Sequence, residues 1–187
     1  MENKKVLIAY GTRYGATTGT AEEIARVLRE KSFEVKVVNL KEEKVKDISE
    51  YELVIIGSGM KMDMWTSKTK AFLKKFSTEL NKKKVAIFVS SGARALMEYK
   101  GENEEIRRIN KKYLEDKAFK YGLKPISMAM FGGIWDYNQM GKIYTKFLDS
   151  ERENFKPAGF KETATGVYDS RNWDEIRNWA KQIANII

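Results

Sequence analysis

The stretch Val6-Leu7-Ile8-Ala9-Tyr10-Gly11-Thr12-Arg13-Tyr14-Gly15-Ala16-Thr17 decides how this chain is read. The unbroken apolar run from Val6 to Tyr10 predicts a strand buried on both faces. From Thr17 the period changes. Ala21, Ile24, Ala25 and Leu28 recur on one face and predict a helix over Thr17–Lys31. The turn between them, Thr12 to Thr17, sets a glycine and several hydroxyls at a strand-to-helix junction. Free backbone N–H groups at such a helix N-terminus make an anion site. The turn has neither the lysine of a triphosphate loop (GxxxxGK[ST]) nor GxGxxG. A threonine-rich loop of this kind suits a phosphate monoester, and flavin mononucleotide (FMN) is the expected ligand.

Composition narrows the chemistry. The chain holds no Cys and no His among 187 residues. That excludes disulfides, thiolate nucleophiles, iron–sulfur clusters, His- or Cys-ligated haem and zinc, and a Ser-His-Asp triad. No tight acidic cluster marks a carboxylate metal site, so no metal is expected. Any redox chemistry then belongs to an organic cofactor. The length fits one α/β domain over residues 1–187. No apolar run approaches the ~20 residues of a membrane span. Met1-Glu2-Asn3-Lys4-Lys5 runs straight into the first strand, which leaves no room for a signal peptide and predicts a cytoplasmic protein. The formal charge is +9, with lysines scattered among acids, as at Lys41 to Lys46. This reads as a solvated basic surface, and no nucleic-acid signature accompanies it.

Strand and helix patterns alternate along the chain. Further strands are predicted at Glu34–Leu40, Leu53–Ile56, Val85–Val89 and Ile126–Phe131, the last three running into Gly57-Ser58-Gly59, Ser90-Ser91-Gly92 and Gly132-Gly133. Helices are predicted over Ser67–Leu80, capped by Thr66 or Ser67, over about 103–121, and over about 173–187. Strands apolar at consecutive positions are covered by helices on both faces, which indicates a doubly wound α/β sheet. Ligands of such sheets sit beyond the carboxyl ends of the strands, where these small-residue loops lie.

With these residues in place, the chain resembles the flavodoxin superfamily along nearly its whole length. Within it, the chain is most similar to the menaquinone-dependent protoporphyrinogen IX dehydrogenase family. The flavodoxin phosphate loop reads [ST]-x-T-G-x-T; here Tyr14 replaces the middle Thr and Arg13 is added, which matches the T-R-x-G-x-T of the dehydrogenase-like family. The similarity continues through Val54-Ile55-Ile56-Gly57-Ser58-Gly59-Met60-Lys61, Gly132-Gly133-Ile134-Trp135-Asp136-Tyr137 and Asn172-Trp173-Asp174. The resemblance implies a three-layer sandwich with a parallel sheet ordered 2-1-3-4-5. It also implies an FMN-dependent oxidoreductase that takes reducing equivalents from a porphyrinogen and passes them to a quinone. The alternatives are an electron carrier between redox proteins and a regulatory module that has lost its flavin.

The resemblance implies the cofactor residues segment by segment. The hydroxyls of Thr12 and Thr17 and the N–H groups of Arg13, Tyr14, Gly15, Ala16 and Thr17 hold the phosphate. Ser58, Gly59, Met60 and Lys61 make one wall, where Met60, Met62 or Trp65 covers the ring; in the plainer reading Met64 and Trp65 pack beneath the loop. Ser90, Ser91, Gly92 and Ala93 make the other wall, with no aromatic before Tyr99, which leaves one flavin face open to substrate. Gly132 and Gly133 close the set. Trp135, Tyr137, Met140, Ile143, Tyr144, Phe147 and Leu148 form an aromatic-apolar stretch that lines a quinone or porphyrin site, lies on a membrane surface, or covers the sheet edge as a core-facing helix. Lys142 and Lys146, with Arg13 and Lys61, are the cations available to carboxylates or anionic lipid. Lys61, Arg94 and Asp63 are candidates for acid–base work, without an assignment to any of them. A basic surround favours the anionic reduced flavin and argues against a strongly reducing carrier.

Overall fold

Apolar runs on β1 (Lys5–Gly11), β3 (Leu53–Gly59) and β4 (Lys84–Ser90) are buried almost throughout. They form the centre of a parallel sheet completed by β2 (Glu34–Asn39) and β5 (Ser127–Phe131), in the order β2-β1-β3-β4-β5. This is seen in a computed structural model that describes residues 4–187; Met1, Glu2 and Asn3, and the side chain of Phe147, lie outside the described residues. The period-2 alternation of the strands divides the core. Val6, Ile8 and Tyr10 meet Ile24 and Leu28 of α1 (Ala16–Glu30) and Ile176 and Ile183 of α7 (Trp173–Ile186). Leu7 and Ala9 face the other layer, with Phe72, Leu73 and Phe76 of α2 (Ser67–Leu80). That layer is completed by α4 (Asn103–Asn110) and α5 (Asp116–Lys120). The predicted helix over 103–121 is thus one helical run, but a π-helical turn at Lys111–Glu115 interrupts it, and Tyr113 and Leu114 are buried there. The cap of α2 is Thr66, whose hydroxyl accepts the Thr69 N–H.

Two features lie outside the sequence reading. A short helix α3 (Ala93–Tyr99) follows β4. Beyond β5, the strands β6 (Ile134–Asp136), β7 (Lys161–Ala164) and β8 (Val167–Asp169) form a second, antiparallel sheet ordered β6-β8-β7. Helix α6 (Lys142–Asp149) packs beside it. These pieces gather around a separate aromatic cluster in which Trp135 stacks on Phe160, centroids 4.8 Å apart, with Phe155 and Tyr168 alongside. Leu148 and Tyr144 of α6 pack onto this cluster, whereas Ile143 points outward. So α6 covers the small aromatic cluster instead of the edge of the main sheet.

The α1–α7 contact carries a charge that acid removes. Glu23 of α1 accepts hydrogen bonds from Arg26 and from Arg177 of α7. These bonds, Arg26's first, hold its carboxyl at about 2 against an ordinary value of 4.5. A depressed carboxyl stabilises the fold above its unfolded pKa and ceases to do so as pH falls through the folded one. Both arginines are nearly half exposed, so screening discounts the contribution. Glu23→Gln is expected to cost about 1–2 kcal/mol at neutral pH. In urea unfolding the gap from the parent should close between pH 4.5 and 2, the two pKa values that bracket it. A gap that does not change with pH over that window would refute the assignment.

Candidate functional site

The strand-to-helix loop is built by one backbone device. Gly15 sits at φ +86°, a left-handed conformation open to glycine, and turns the chain into α1. Its N–H donates to Thr12 Oγ1 at 3.0 Å. That N–H, expected at the ligand, is therefore engaged within the loop, and the Thr12 hydroxyl keeps its proton to donate. The N–H groups of Arg13, Tyr14, Ala16 and Thr17 have no protein acceptor among the described residues. Arg171 steadies the loop from behind: it donates to the Ala16 carbonyl at 3.1 Å and pairs with Asp169 at 2.6 Å, both side chains nearly buried. Nothing in the sequence pointed to it, because its partner Ala16 is distant in the chain.

This loop, the β3–α2 loop and the segments after β4 and β5 meet in one cleft at the carboxyl edge of the sheet. Its walls include Thr12, Arg13, Tyr14, Ala16, Thr17, Gly59, Met60, Lys61, Ser90, Gly92 and Gly133, all expected at the cofactor. Ile134, Trp135, Met140 and Tyr144 join them. Trp135, Met140 and Tyr144 belong to the aromatic-apolar stretch but not to the expected cofactor set, and Ile134 belongs to neither. Trp135 reaches the cleft because Gly92 has no side chain: a Cβ there would stand 2.5 Å from the indole nitrogen. It brings an aromatic ring to the wall after β4, where the sequence offers none.

Buried polar atoms with no partner are rare in folded proteins and call for an explanation. Among the described residues, Arg13 Nε, Tyr14 OH, Thr17 Oγ1, Ser90 Oγ and Tyr137 OH are in this position. Four of these five residues line the cleft. Donors of this kind beside unengaged N–H groups at a helix N-terminus fit an anionic ligand with further polar edges. The cleft itself is narrow, with about 20 Å³ open to the centre of a water-sized sphere, room for about one water. Its mouth is closed by side chains: the Lys61 ammonium lies 5.2 Å from the Tyr14 ring and 6.0 Å from that of Tyr144. The donor set fits the phosphate of FMN. Burial pushes the Tyr144 phenol up, so it remains protonated at neutral pH.

Six residues expected at the cofactor do not line the cleft. Trp65 is the main correction. It is 1% exposed in the core under α2, and its indole N–H donates to the Tyr113 carbonyl at 3.0 Å. It packs beneath the loop and is not available to stack. Ser58 is fully buried and accepts the Thr66 N–H at 3.0 Å, which fixes the start of α2. Ser91 is buried with its N–H on Phe131, Ala93 packs on the aromatic cluster, and Gly132 lies against the Ser170 carbonyl. Gly15 shapes the loop without lining the cleft. Of the acid–base candidates only Lys61 is in the cleft. Arg94 is held by Glu98 and Glu175, and Asp63 by Lys112 and Tyr113.

Known proteins share this fold. Protoporphyrinogen IX dehydrogenase [quinone] of Escherichia coli K12 is 25% identical over 190 aligned positions, covering 97% of this chain and 96% of that protein. Among solved structures, the flavodoxin of Streptococcus pneumoniae TIGR4 superposes with a TM-score of 0.55 at 12% identity, covering 98% of this chain and 99% of that one. Rubredoxin oxygen:oxidoreductase from Desulfovibrio gigas superposes with a TM-score of 0.57 at 16% identity; it matches 97% of this chain, which spans 35% of the larger protein. These likenesses show the fold. The family described as "Flavodoxin domain" matches residues 7–149. That is well over half of the sequence, and the chain belongs to the flavodoxin domain family.

Proposed function

We propose that this protein is an FMN-dependent oxidoreductase that takes reducing equivalents from a porphyrinogen-type substrate and delivers them to a quinone. The observation that carries the FMN reading is the set of unpartnered buried polar atoms around one cleft at the carboxyl edge of the sheet. The likeness to protoporphyrinogen IX dehydrogenase over nearly the full length of both chains supports the substrate class. When bound, FMN supplies a ring that accepts and releases electrons, the chemistry this His- and Cys-free chain lacks.

The residues divide the work. The N–H groups of Arg13, Tyr14, Ala16 and Thr17, with the Thr12 and Thr17 hydroxyls, hold the phosphate. Gly59 lets backbone come close to the ligand. Met60, Trp135 and Met140 exclude water from the cleft. Ser90 offers a hydroxyl with no competing protein partner. Lys61 is the cation at the mouth and favours negative charge there.

Anaerobic mixing of the FMN-loaded protein with protoporphyrinogen IX tests the reading. Flavin absorbance should bleach while porphyrin fluorescence rises, and menaquinone should then restore the absorbance. A loaded flavin that stays oxidised would sink the porphyrinogen reading and move the weight to an electron carrier.

A further inference from the structure

A strained turn follows β3 at the mouth of the cleft. Lys61 and Met64 close it with backbone hydrogen bonds of 3.3 and 3.0 Å. Its tip residues, Met62 and Asp63, have φ of +47° and +61°. Aspartate tolerates that left-handed backbone, whereas a methionine is held there at an energetic cost. Contacts from outside the turn hold it. The Asp63 carboxylate accepts from the Lys112 ammonium at 2.7 Å and from the Tyr113 hydroxyl. Both donors come from the π-helical turn Lys111–Glu115, and such interruptions of a helix are common at functional sites. This anchor is itself fixed in the core, because Tyr113 is buried and its carbonyl accepts the Trp65 indole N–H at 3.0 Å.

The charge at the mouth depends on that grip. Lys61 and Asp63 are two residues apart on one turn, a span of at most about 7 Å that a flexible lysine stem covers. Yet Lys61 is in no ion pair among the described residues. Its ammonium lies over the Tyr14 ring and lines the cleft. The Asp63 charge reaches the mouth: after burial and Tyr14, it is what raises the Tyr144 phenol. The bonds from Lys112 first, and then from Tyr113, hold the Asp63 carboxyl below the usual carboxylate range, so the group is ionised at neutral pH. Released from them, this carboxylate would neutralise the cation that the turn presents to the cleft.

We propose that Lys112 and Tyr113 are positioning residues for the cofactor site: they draw Asp63 away from Lys61, which then stands at the cleft as an unneutralised cation. Uptake of two electrons and one proton by FMN adds one negative charge. An unneutralised Lys61 therefore favours reduced FMN over the oxidised form, and the clamp sets by how much. That consequence rests on the FMN reading above; the clamp itself does not.

The midpoint potential of bound FMN, read by anaerobic dye titration, measures the preference. Tyr113→Phe keeps the ring and removes no charge. It should lower the preference for reduced FMN about threefold, with oxidised FMN bound within about twofold of the parent. Adding Lys112→Gln should bring the loss to about tenfold. Asp63→Asn on top of both removes one negative charge against the positive one lost with Lys112, and asparagine tolerates the left-handed backbone. That triple variant should regain the parent potential. In Lys61→Gln protein, Tyr113→Phe should move nothing. In the ligand-free protein, Tyr113→Phe should speed hydrogen exchange at the Met64 amide, which closes the turn, by about tenfold. A Tyr113→Phe potential equal to the parent's would overturn the proposal, and so would an equal shift without Lys61 or unchanged exchange at Met64. A parent that takes up no FMN would instead indict the proposed function, and the exchange result would still judge the clamp.

Discussion

Thr17→Val should leave the ligand-free protein as stable as the parent, or about 1 kcal/mol more stable, and weaken FMN binding by about ten- to a hundredfold. The two effects have opposite signs for one reason. Thr17 is fully buried and its hydroxyl has no partner, so the fold already carries the cost of desolvating it. Valine has nearly the same shape and removes that cost. The same hydroxyl, beside the free N–H groups of the loop, is placed to hydrogen-bond a charged phosphate, and such bonds are worth about 1.5–3 kcal/mol. Urea unfolding of the ligand-free variant and FMN fluorescence titration separate the two. Lower stability with parent affinity would mean that the hydroxyl serves the fold and that the phosphate sits elsewhere.

The largest stability loss is expected at Trp65. Trp65→Ala removes a fully buried indole and should cost about 3–5 kcal/mol, a large share of the roughly 5–15 kcal/mol of an ordinary domain. Trp65→Phe keeps most of the ring but strips the Tyr113 carbonyl of its donor, and should cost about 1–3 kcal/mol. Neither change touches the cleft, so folded Trp65→Phe should bind FMN with parent affinity and the same quenching of flavin fluorescence. A stable Trp65→Ala with altered flavin fluorescence would restore the stacking role that the structure denies this residue.

Trp65 also shows where local reading ends. Its place in the sequence, just before α2, is equally compatible with a ring lying over a ligand and with one lying under the loop. The packing of the helical run around Tyr113 decided the matter, and Tyr113 is far from Trp65 in the chain. Trp135 is the converse case. The pattern after β5 marked an aromatic-apolar stretch, but its indole reaches the cleft because Gly92 and Gly133 let the segments after β4 and β5 lie in contact: a Cβ on Gly133 would stand 2.7 Å from the Gly92 nitrogen. The second sheet was invisible for another reason. Its strands are short, and every residue of Lys161–Ala164 is exposed, so no alternation of apolar and polar side chains marks it.

The sequence by itself determined the parallel sheet and its phosphate-type loop. Burial on both faces writes a strand as an unbroken apolar run, burial of one stripe writes a helix with a 3.6-residue period, and a glycine-bearing turn between them leaves N–H groups free. All three are local patterns. The tertiary structure alone decided which side chains wall the cleft, that Trp65 belongs to the core, and that Asp63 is held by Lys112 and Tyr113. Those outcomes depend on contacts between segments distant in the chain, and local periodicity carries no record of which loop packs against which.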